Sequence, residues 1–366
     1  MSKQIQLDAP SIGLLEKKYV LRALQEGFVS TYGPYVAEFE RKFVGFIQGG
    51  YPVAVQSGTA ALHLALYKLG IGPQDEVIVP ALTFIASVNP VMYVGAKPVF
   101  VDVDALTWNI SVEAIEKKIT DKTKAIIVVH LYGNCCDMDR LTKLAHKYKL
   151  FLIEDATESL GSRFAGQHTG TFGDYGCFSF NGNKTVTTGG GGLILCRSSK
   201  VADHARHLVN QARPGTAYTH NEIGFNYRMT NLEASLGLAQ LERLKGFVDK
   251  KRKFREIYEK ETKGLPVRLQ QEYEKAQSCF WLNAMTFENE TVRAKIEKAL
   301  IRAGIPFRRL FVPLPESTPY SSAEKKSLIN TYDLYHRGLC LPSSVVNTEK
   351  NIQTVCRAIR KVLIEK

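Results

Sequence analysis

Short apolar runs alternate with amphipathic stretches along the first two thirds of the chain. The runs are rich in Val, Ile and Leu, which is typical of buried β-strands. The intervening stretches have helical spacing, as in residues 35–47, where Phe39, Phe43 and Ile47 fall on one face. The predicted strands are residues 53–55, 76–80, 98–101, 125–130, 150–153, 177–180 and 193–196. Helices are predicted at residues 11–26, 35–47, 58–69, 85–94 and 138–148. This alternation predicts an α/β fold with a mostly parallel, seven-stranded sheet covered on both faces.

The pattern changes after about residue 229. Residues 229–262 carry rows of leucines at helical spacing, and the Gly264-Leu-Pro266 turn ends this stretch. Beyond it, the pattern predicts a strand over residues 280–287, a helix over residues 292–303 and a second helix from residue 348 onward. We therefore expect a large domain of residues 1–245 and a smaller α+β domain of residues 246–366.

The charge of the chain suits an anionic partner. The 366 residues carry a formal net charge of +12, which is compatible with nucleic acid, a membrane surface or a phosphorylated small molecule. The densest basic run, residues 243–255, lies in a helical pattern without interleaved stacking aromatics, so a solvated face is favoured over a nucleic-acid groove. We expect no nucleic acid and no membrane among the partners.

The cysteines and the N-terminus favour a cytoplasmic protein. The seven cysteines show no C-x-x-C pair and no metal-ligand spacing, so neither a disulfide framework nor a metal site is expected. Residues 1–5 lack the apolar segment of a signal peptide, and no run approaches the length of a membrane span.

One lysine stands between a turn and a run of glycines. The strand at 177–180 ends in Asn181-Gly-Asn183, and Lys184 precedes the four glycines of residues 189–192. Glycines permit close approach of the backbone to a ligand, so Lys184 could be a nucleophilic amine of the kind that forms Schiff bases. The alternative is a solvated lysine on a flexible turn.

Candidate ligand-binding residues follow the ends of other predicted strands, where ligands of open α/β sheets bind. Ser57-Gly58-Thr59 opens a helix and could bind a phosphate, or Ser57 could simply cap the helix. Glu154-Asp155 ends another strand, where a carboxylate could be structural or could pair with a pyridinium nitrogen. Glu158 would face the same side if a helical turn begins there.

Two further strand-end residues have equally open interpretations. Phe84 could stack on a flat ring or fill the core, and His130 could act at a site or be a hydrogen-bonded core residue. Two nucleotide-binding motifs are excluded. The phosphate loop needs a glycine directly before its lysine, where Asn183 stands, and no G-x-G-x-x-G follows the first strand.

Four motifs together resemble a known family, the DegT/DnrJ/EryC1/StrS aminotransferases, which depend on pyridoxal phosphate and act on nucleotide sugars. The motifs are Ser57-Gly-Thr-Ala-Ala-Leu62, Ile153-Glu-Asp-Ala156, Phe178-Ser-Phe-Asn-Gly-Asn-Lys184 with its glycines, and Gly224-Phe-Asn-Tyr-Arg-Met-Thr-Asn231. Each motif is weak alone, but four in this order are specific, and the resemblance extends from Phe28 to Ser343. It implies the type I aspartate aminotransferase fold.

The resemblance also implies roles for individual residues. Lys184 and Asp155 would be catalytic, with Lys184 binding the cofactor covalently and Asp155 pairing with its ring nitrogen. Further cofactor contacts would come from Gly58, Thr59, Phe84, Glu158, Ser179 and, from the neighbouring subunit, Asn226. A homodimer with shared active sites is therefore expected. Substrate contacts are expected from Tyr32, Arg228, Arg308 and Tyr320.

The implied reaction is a two-step amino transfer. An amino donor, by resemblance L-glutamate, converts the cofactor to pyridoxamine phosphate, which then aminates a keto group of the sugar. Family members that act as dehydratases have histidine in place of the lysine, so the presence of Lys184 favours transamination. A regulator that binds the cofactor without turnover is the alternative from another class, but the lysine, the aspartate and the asparagine at 226 are all retained.

The substrate is expected to be a nucleotide-linked 4-keto-6-deoxy sugar, aminated at C4. The stretches 130–139 and 180–192 resemble both family members that make perosamine and those that make the UDP-linked 4-amino precursor of legionaminic acid or bacillosamine. Of these, UDP-linked 4-keto-6-deoxy-N-acetylglucosamine is the expected substrate, with GDP-linked 4-keto sugars and dTDP- or UDP-linked 4-keto-6-deoxyglucose as alternatives. The chain departs from the family pattern at Arg309, which replaces a proline, and at Pro315, which replaces a histidine. This loop is expected to line the substrate pocket, where Arg309 would either meet a diphosphate or lie on the surface.

Overall fold

The computed structural model describes residues 4–215 and 218–364. Its strands are β1 (Tyr51–Val55), β2 (Glu76–Pro80), β3 (Lys97–Val101), β4 (Thr123–Val129), β5 (Phe151–Asp155), β6 (Arg163–Phe164), β7 (Gln167–His168), β8 (Tyr175–Ser179), β9 (Gly192–Cys196), β10 (Val267–Leu269), β11 (Ala276–Gln277), β12 (Asn283–Phe287), β13 (Arg308–Arg309) and β14 (Gly338–Leu341). Its α-helices are α1 (Leu14–Gln25), α2 (Tyr35–Ile47), α3 (Gly58–Lys68), α4 (Asn89–Tyr93), α5 (Val112–Glu116), α6 (Met138–Tyr148), α7 (Ser199–Val209), α8 (Asn231–Thr262), α9 (Glu290–Arg302), α10 (Ile329–Arg337) and α11 (Glu349–Ile364).

A seven-stranded sheet forms the centre of the large part of the chain. Its strand order is β1-β9-β8-β5-β4-β2-β3. Only β9 runs against its neighbours β1 and β8, and the other four pairings are parallel. The seven predicted strands are therefore confirmed as one mostly parallel sheet of an α/β fold. Because parallel strands share one carboxyl edge, the turns after β1, β2, β5 and β8 meet there.

The sheet is buried on both faces, as its continuous apolar strands predict. Ile127 and Ile153 point to one layer of core side chains, which α3 and α7 cover. Ile126 and Leu152 point to the opposite layer, which α5 and α6 cover. Side chains on both faces of these strands are therefore buried, which explains why the strand sequences do not alternate between apolar and polar residues.

The smaller part of the chain contains a four-stranded antiparallel sheet of order β10-β12-β14-β13. Helices α9 and α11 pack on it through Ile296, Leu300 and Ile359. Helix α8 joins the two parts, since its first half packs on α1 and α2 and its second half on α11. The predicted boundary between residues 245 and 246 falls within this continuous helix and stays a prediction.

The structure differs from the sequence prediction in a few elements. The helix predicted at 85–94 is a 3₁₀ turn, Ile85–Ser87, followed by α4. The strand predicted from 280 begins only at 283, because Phe280 adopts a left-handed backbone conformation (φ 49°) that ends strand geometry. The pattern also missed α5, α7, α10, the three-stranded sheet of β6, β7 and β11, and the strands β10, β13 and β14 of the four-stranded sheet. All seven cysteines lie in the described residues, buried and free of disulfides, and no helix there is long and apolar enough to cross a bilayer.

Candidate active site

A cavity of about 310 Å³ lies at the carboxyl edge of the seven-stranded sheet. Its floor comes from the turns after β1, β2, β5 and β8, and its roof comes from residues beside β12 and β13 of the four-stranded sheet. The cavity brings together eight of the residues predicted from sequence, namely Gly58, Thr59, Phe84, Asp155, Glu158, Ser179, Lys184 and Arg308. The prediction that strand ends assemble a site is therefore consistent with their positions.

Asp155 presents its carboxylate at the floor of the cavity. It ends β5 and is almost fully buried. One carboxylate oxygen, Oδ2, accepts a hydrogen bond from Ser87 Oγ at 2.6 Å, and the other accepts from the backbone N–H of Thr157 at 3.1 Å. These two donors hold the carboxyl group in one orientation, in which it can pair with a positively charged ring nitrogen.

Lys184 reaches the same space from the turn after β8. Its Nζ lies 3.5 Å from Oε1 of Glu158 and 4.0 Å from the centre of the Trp281 ring. The Lys184 side chain is only 13% exposed. Of the two interpretations open from sequence, the structure therefore contradicts the solvated lysine. An amine shielded by an indole and paired with one carboxylate can act as a nucleophile and as a proton carrier.

Glu158 is the buried partner of this amine. Its other oxygen, Oε2, accepts from the backbone N–H of Tyr132 at 2.8 Å. Burial raises the pKa of Glu158, and the charge of Lys184 opposes that rise. The pKa direction shows that desolvation outweighs the ion pair, so the protonation state of this carboxyl group is sensitive to what occupies the cavity.

One end of the cavity is built for an anion. Ser57 Oγ caps α3 by accepting from the backbone N–H of Ala60 at 3.1 Å, which leaves the N–H groups of Gly58 and Thr59 at the helix start facing the cavity edge. A Cβ on Gly58 would lie 2.9 Å from both Ser179 Cβ and Thr157 Cγ2. The close approach of the α3 turn to β8 thus requires glycine, and of the two interpretations of Ser57 the structure shows the helix cap.

The mouth of the cavity carries charged and aromatic side chains. Asp8 Oδ2 accepts from Arg308 Nη2 at 3.1 Å and from Asn183 Nδ2 at 3.0 Å, so the N-terminal segment joins the two sides of the mouth. Phe84, about half exposed, faces Phe311 with ring centres 5.7 Å apart. The half-exposed ring is available to stack on a flat ligand.

His130 and Glu154 form a structural pair behind the site. His130 Nδ1 accepts from the backbone N–H of Cys136, so its Nε2 carries the proton and donates to Glu154 Oε2 at 3.1 Å. Glu154 also accepts backbone N–H groups of the 170–173 turn, from Gly170, Phe172 and Gly173. For His130 the core interpretation is the correct one, and of the two carboxylates that end β5, Glu154 is the structural one.

Four predicted site residues lie outside the cavity of this chain. Asn226 is exposed on the surface, and Tyr32 is 81% exposed. The Arg228 guanidinium donates to the backbone oxygen of Thr31 at 2.8 Å. The Tyr320 prediction is corrected, because its side chain is buried against Phe100 and its hydroxyl donates to Asn89.

The two positions that depart from the family pattern also face away from the cavity. Arg309 makes a bidentate ion pair with Glu297, with N–O distances of 2.7 and 3.0 Å, so the surface alternative holds for this arginine. Pro315 is buried in the 3₁₀ turn Leu314–Glu316. The arginine of this loop that lines the cavity is therefore Arg308, not Arg309.

Among the residues of the site that were missed from sequence, three position groups that were predicted. Ser87 orients Asp155, Trp281 shields Lys184, and Asp8 holds Arg308. Ser87 follows a strand end, which could have marked it. Trp281 and Asp8 come from distant parts of the chain, and their sequence positions carry no such signal.

The cavity fits a flat ring that carries a phosphate and a carbonyl. Asp155 suits a protonated ring nitrogen, Lys184 suits the carbonyl, and the start of α3 suits the phosphate, all in one space of about 310 Å³. A cofactor of the pyridoxal phosphate type requires these three groups, and Phe84 adds a ring for stacking.

Comparison with known proteins gives the same result. GDP-perosamine synthase of Escherichia coli O157:H7 is 41% identical over 365 residues, 100% of both chains. GDP-perosamine synthase of Vibrio cholerae is 38% identical over 96% of this chain and 97% of its own. Spr1654 of Streptococcus pneumoniae, solved in its PMP form, superposes with a TM-score of 0.94 at 28% identity over 99% of both chains.

The family assignment follows from a match over nearly the whole length. The DegT/DnrJ/EryC1/StrS aminotransferase family matches residues 10–360. Its cofactor is the one that the cavity fits, and its reaction is the one that Lys184 suits. The chain belongs to the DegT/DnrJ/EryC1/StrS family and is a pyridoxal-phosphate-dependent aminotransferase.

Proposed function

We propose that this enzyme transfers an amino group from L-glutamate to C4 of the GDP-linked 4-keto-6-deoxyhexose that corresponds to perosamine. The observation that carries the proposal is the end-to-end match, at 41% identity, to a protein named GDP-perosamine synthase. The UDP-linked N-acetyl sugar expected from sequence gives way to the GDP-linked alternative, because the relatives described above are named for a GDP-linked product.

The cofactor would lie between Phe84 and the floor of the cavity. When bound, pyridoxal phosphate supplies an electron sink and carries the amino group between donor and acceptor. Asp155 would pair with its ring nitrogen, and the N–H groups of Gly58 and Thr59, with Ser179, would bind its phosphate. Ser87 keeps the Asp155 carboxylate turned toward the ring through the 2.6 Å hydrogen bond.

Lys184 would move the proton during the transfer. Its Nζ is the only amine among the side chains that line the cavity in the described residues. Glu158, 3.5 Å away, accepts a hydrogen bond from this amine when it is charged, and Trp281 excludes water from one side. A lysine in this setting can take a proton from one carbon atom and return it to another without exchange with bulk water.

The nucleotide sugar would enter past Arg308. This side chain is 43% exposed and, among the residues that the structure describes, donates a hydrogen bond to Asp8 through Nη2, so its other N–H groups are available to a ligand. A guanidinium binds a diphosphate through paired hydrogen bonds. The overall charge of +12 favours the approach of such an anion.

A homodimer would complete the site. Asn226 is exposed in this chain, and so are Tyr218 and Ile223 in the same segment, at 88% and 75%. Exposed apolar side chains of this size are typical of a surface that another molecule covers. We propose that the segment meets a second copy of the chain and places Asn226 at the cofactor phosphate of that copy.

The substrate is tested by competition. The enzyme with its cofactor and L-glutamate is incubated with an equimolar mixture of GDP-, UDP- and dTDP-linked 4-keto-6-deoxy sugars, and the products are separated by mass. The proposal predicts that the GDP-linked amino sugar forms first. Amination of the UDP-linked sugar alone, or of the dTDP-linked sugar alone, contradicts it, and Lys184→Ala is the control for uncatalysed reaction.

A further inference from the structure

A second lysine is buried behind the roof of the site. Lys251 lies on α8 and is 3% exposed. Its Nζ donates to the backbone oxygens of Trp281 at 2.9 Å and Ser343 at 2.8 Å. Burial lowers the pKa of Lys251 to about 8. Burying an ammonium group costs free energy even when carbonyl oxygens accept its hydrogen bonds, so a role for Lys251 at this position is expected.

The carbonyl that Lys251 holds belongs to the residue that covers Lys184. Trp281 has two further anchors, since its indole N–H donates to the backbone oxygen of Asn183 at 2.7 Å and its ring lies 4.0 Å from Lys184 Nζ. The segment that carries it precedes β12 and has no strand partner, and Phe280 takes a left-handed conformation. Pairing within the four-stranded sheet therefore does not fix the position of the indole over the cavity.

The second carbonyl leads to the mouth of the cavity. The backbone N–H of Ser343 donates to the oxygen of Leu7 at 2.7 Å, and the next residue, Asp8, accepts from Arg308. One ammonium group thus joins the segment above Lys184 to the segment that orients Arg308.

We propose that Lys251 is a positioning residue that holds Trp281 against Lys184. Without its N–H donors, two buried carbonyl oxygens lose their partners and the segment around Trp281 moves toward water. The indole then ceases to shield the amine of Lys184. The inference rests on the aminotransferase reaction but not on the identity of the sugar, because the half-reaction with L-glutamate needs no sugar.

The test uses Trp281 as its own reporter. The sequence contains two tryptophans, so Trp108→Phe leaves Trp281 as the single emitter. Lys251→Met is compared in this background with Lys250→Met. Lys250 is the matched control, because the neighbouring lysine also donates to a backbone oxygen, that of Val345 at 2.7 Å, but does not contact Trp281. Emission is recorded on cofactor-free protein, and the half-reaction with L-glutamate on loaded protein.

The proposal predicts two changes in Lys251→Met and neither in Lys250→Met. Trp281 emission shifts to longer wavelength, and the half-reaction slows about tenfold, the size expected for losing a hydrogen bond to a charged group. Lys251→Gln, which keeps two N–H donors without charge, should restore the emission in part, and it replaces Lys251→Met if that variant does not fold. Emission equal to that of Lys250→Met in the folded Lys251 variants overturns the proposal, whatever the rate.

The outcome also separates this inference from the proposed function. If the GDP-linked sugar is not aminated, the emission shift and the slower half-reaction still stand. If the emission does not shift while the GDP-linked sugar is aminated, the positioning role alone is wrong.

Discussion

The amine of Lys184 lies 3.5 Å from Oε1 of Glu158, a carboxyl group whose pKa is raised. The two groups are therefore coupled, and the charge of one depends on the state of the other. When Lys184 is engaged with a ligand, Glu158 loses the positive charge that opposes its protonation. This coupling gives the site a way to respond to cofactor binding.

The raised pKa of Glu158 predicts how stability depends on pH. Because the folded protein favours the protonated carboxyl, the stability that this group contributes is greatest below its ordinary value of 4.5 and is lost as pH rises through the raised pKa. Glu158→Gln keeps an oxygen for the Tyr132 N–H but cannot ionise. The melting temperature of the cofactor-free wild type, relative to that of Glu158→Gln, should therefore fall as pH rises from 4.5. A difference that stays constant with pH contradicts this reading.

The close packing around Gly58 predicts that a side chain at this position weakens cofactor binding. In Gly58→Ala, the new methyl group meets Ser179 and Thr157 at 2.9 Å and pushes the start of α3 away from the phosphate. We expect the dissociation constant for pyridoxal phosphate to rise at least about tenfold, as for the loss of one hydrogen bond to a charged group. Equilibrium dialysis measures it.

The matched control for this change is Gly246→Ala. Gly246 is exposed within α8, and a Cβ there meets nothing within 4 Å. The change should leave cofactor affinity unaltered and stabilise the helix by about 0.5–1 kcal/mol. Equal cofactor affinity in the two variants would show that the start of α3 does not bind the phosphate.

Neighbouring arginines provide a test of the substrate mouth. Arg308→Ala should raise KM for the nucleotide sugar about 10- to 100-fold, the range for charge-assisted hydrogen bonds to a diphosphate, while the half-reaction with L-glutamate keeps its rate. Arg309→Ala should leave KM unchanged and cost only the surface ion pair with Glu297, about 0.2–1 kcal/mol. KM is measured by steady-state kinetics for both variants. A KM that rises in Arg309→Ala and stays unchanged in Arg308→Ala would show that Arg308 is not the arginine that binds the nucleotide sugar.

The proposed dimer predicts complementation between two inactive variants. Asn226→Asp places a negative charge at the cofactor phosphate of the other subunit, and Lys184→Ala removes the amine. Mixed dimers of the two variants contain one site that is wild type at both positions, so random exchange should restore about a quarter of the wild-type activity. Activity that stays at the level of the unmixed variants after subunit exchange would show that Asn226 serves its own chain.

Strand ends made much of the floor of the site predictable. Asp155, Ser57 and Lys184 all follow short apolar runs, and the carboxyl edge of a parallel sheet brings such positions together. The same reasoning could not assign direction to β9, because alternation along a strand carries no information on which way its neighbour runs. Helix α7 could have been predicted from sequence, because Ser198 caps it and Ala202, Ala205 and Leu208 follow at helical spacing.

The roof of the site depends on contacts that no local pattern encodes. Trp281 reaches Lys184 because Phe280 adopts a positive φ and because Lys251 of helix α8 holds the Trp281 carbonyl. Asp8 reaches Arg308 across 300 positions of sequence. Tyr320 was expected at the substrate by family resemblance alone, and the tertiary packing that buries it is equally absent from its local sequence.

The most direct test of the central claim follows one nitrogen atom. The loaded wild-type enzyme is incubated with nitrogen-15 L-glutamate and the GDP-linked 4-keto-6-deoxyhexose, and the nucleotide-sugar product is analysed by mass and by NMR. The account predicts a GDP-linked sugar with the label on C4, and none with Lys184→Ala. A wild-type enzyme that takes the label from glutamate but leaves the GDP-linked sugar unlabelled, or equal labelling by Lys184→Ala, would contradict it.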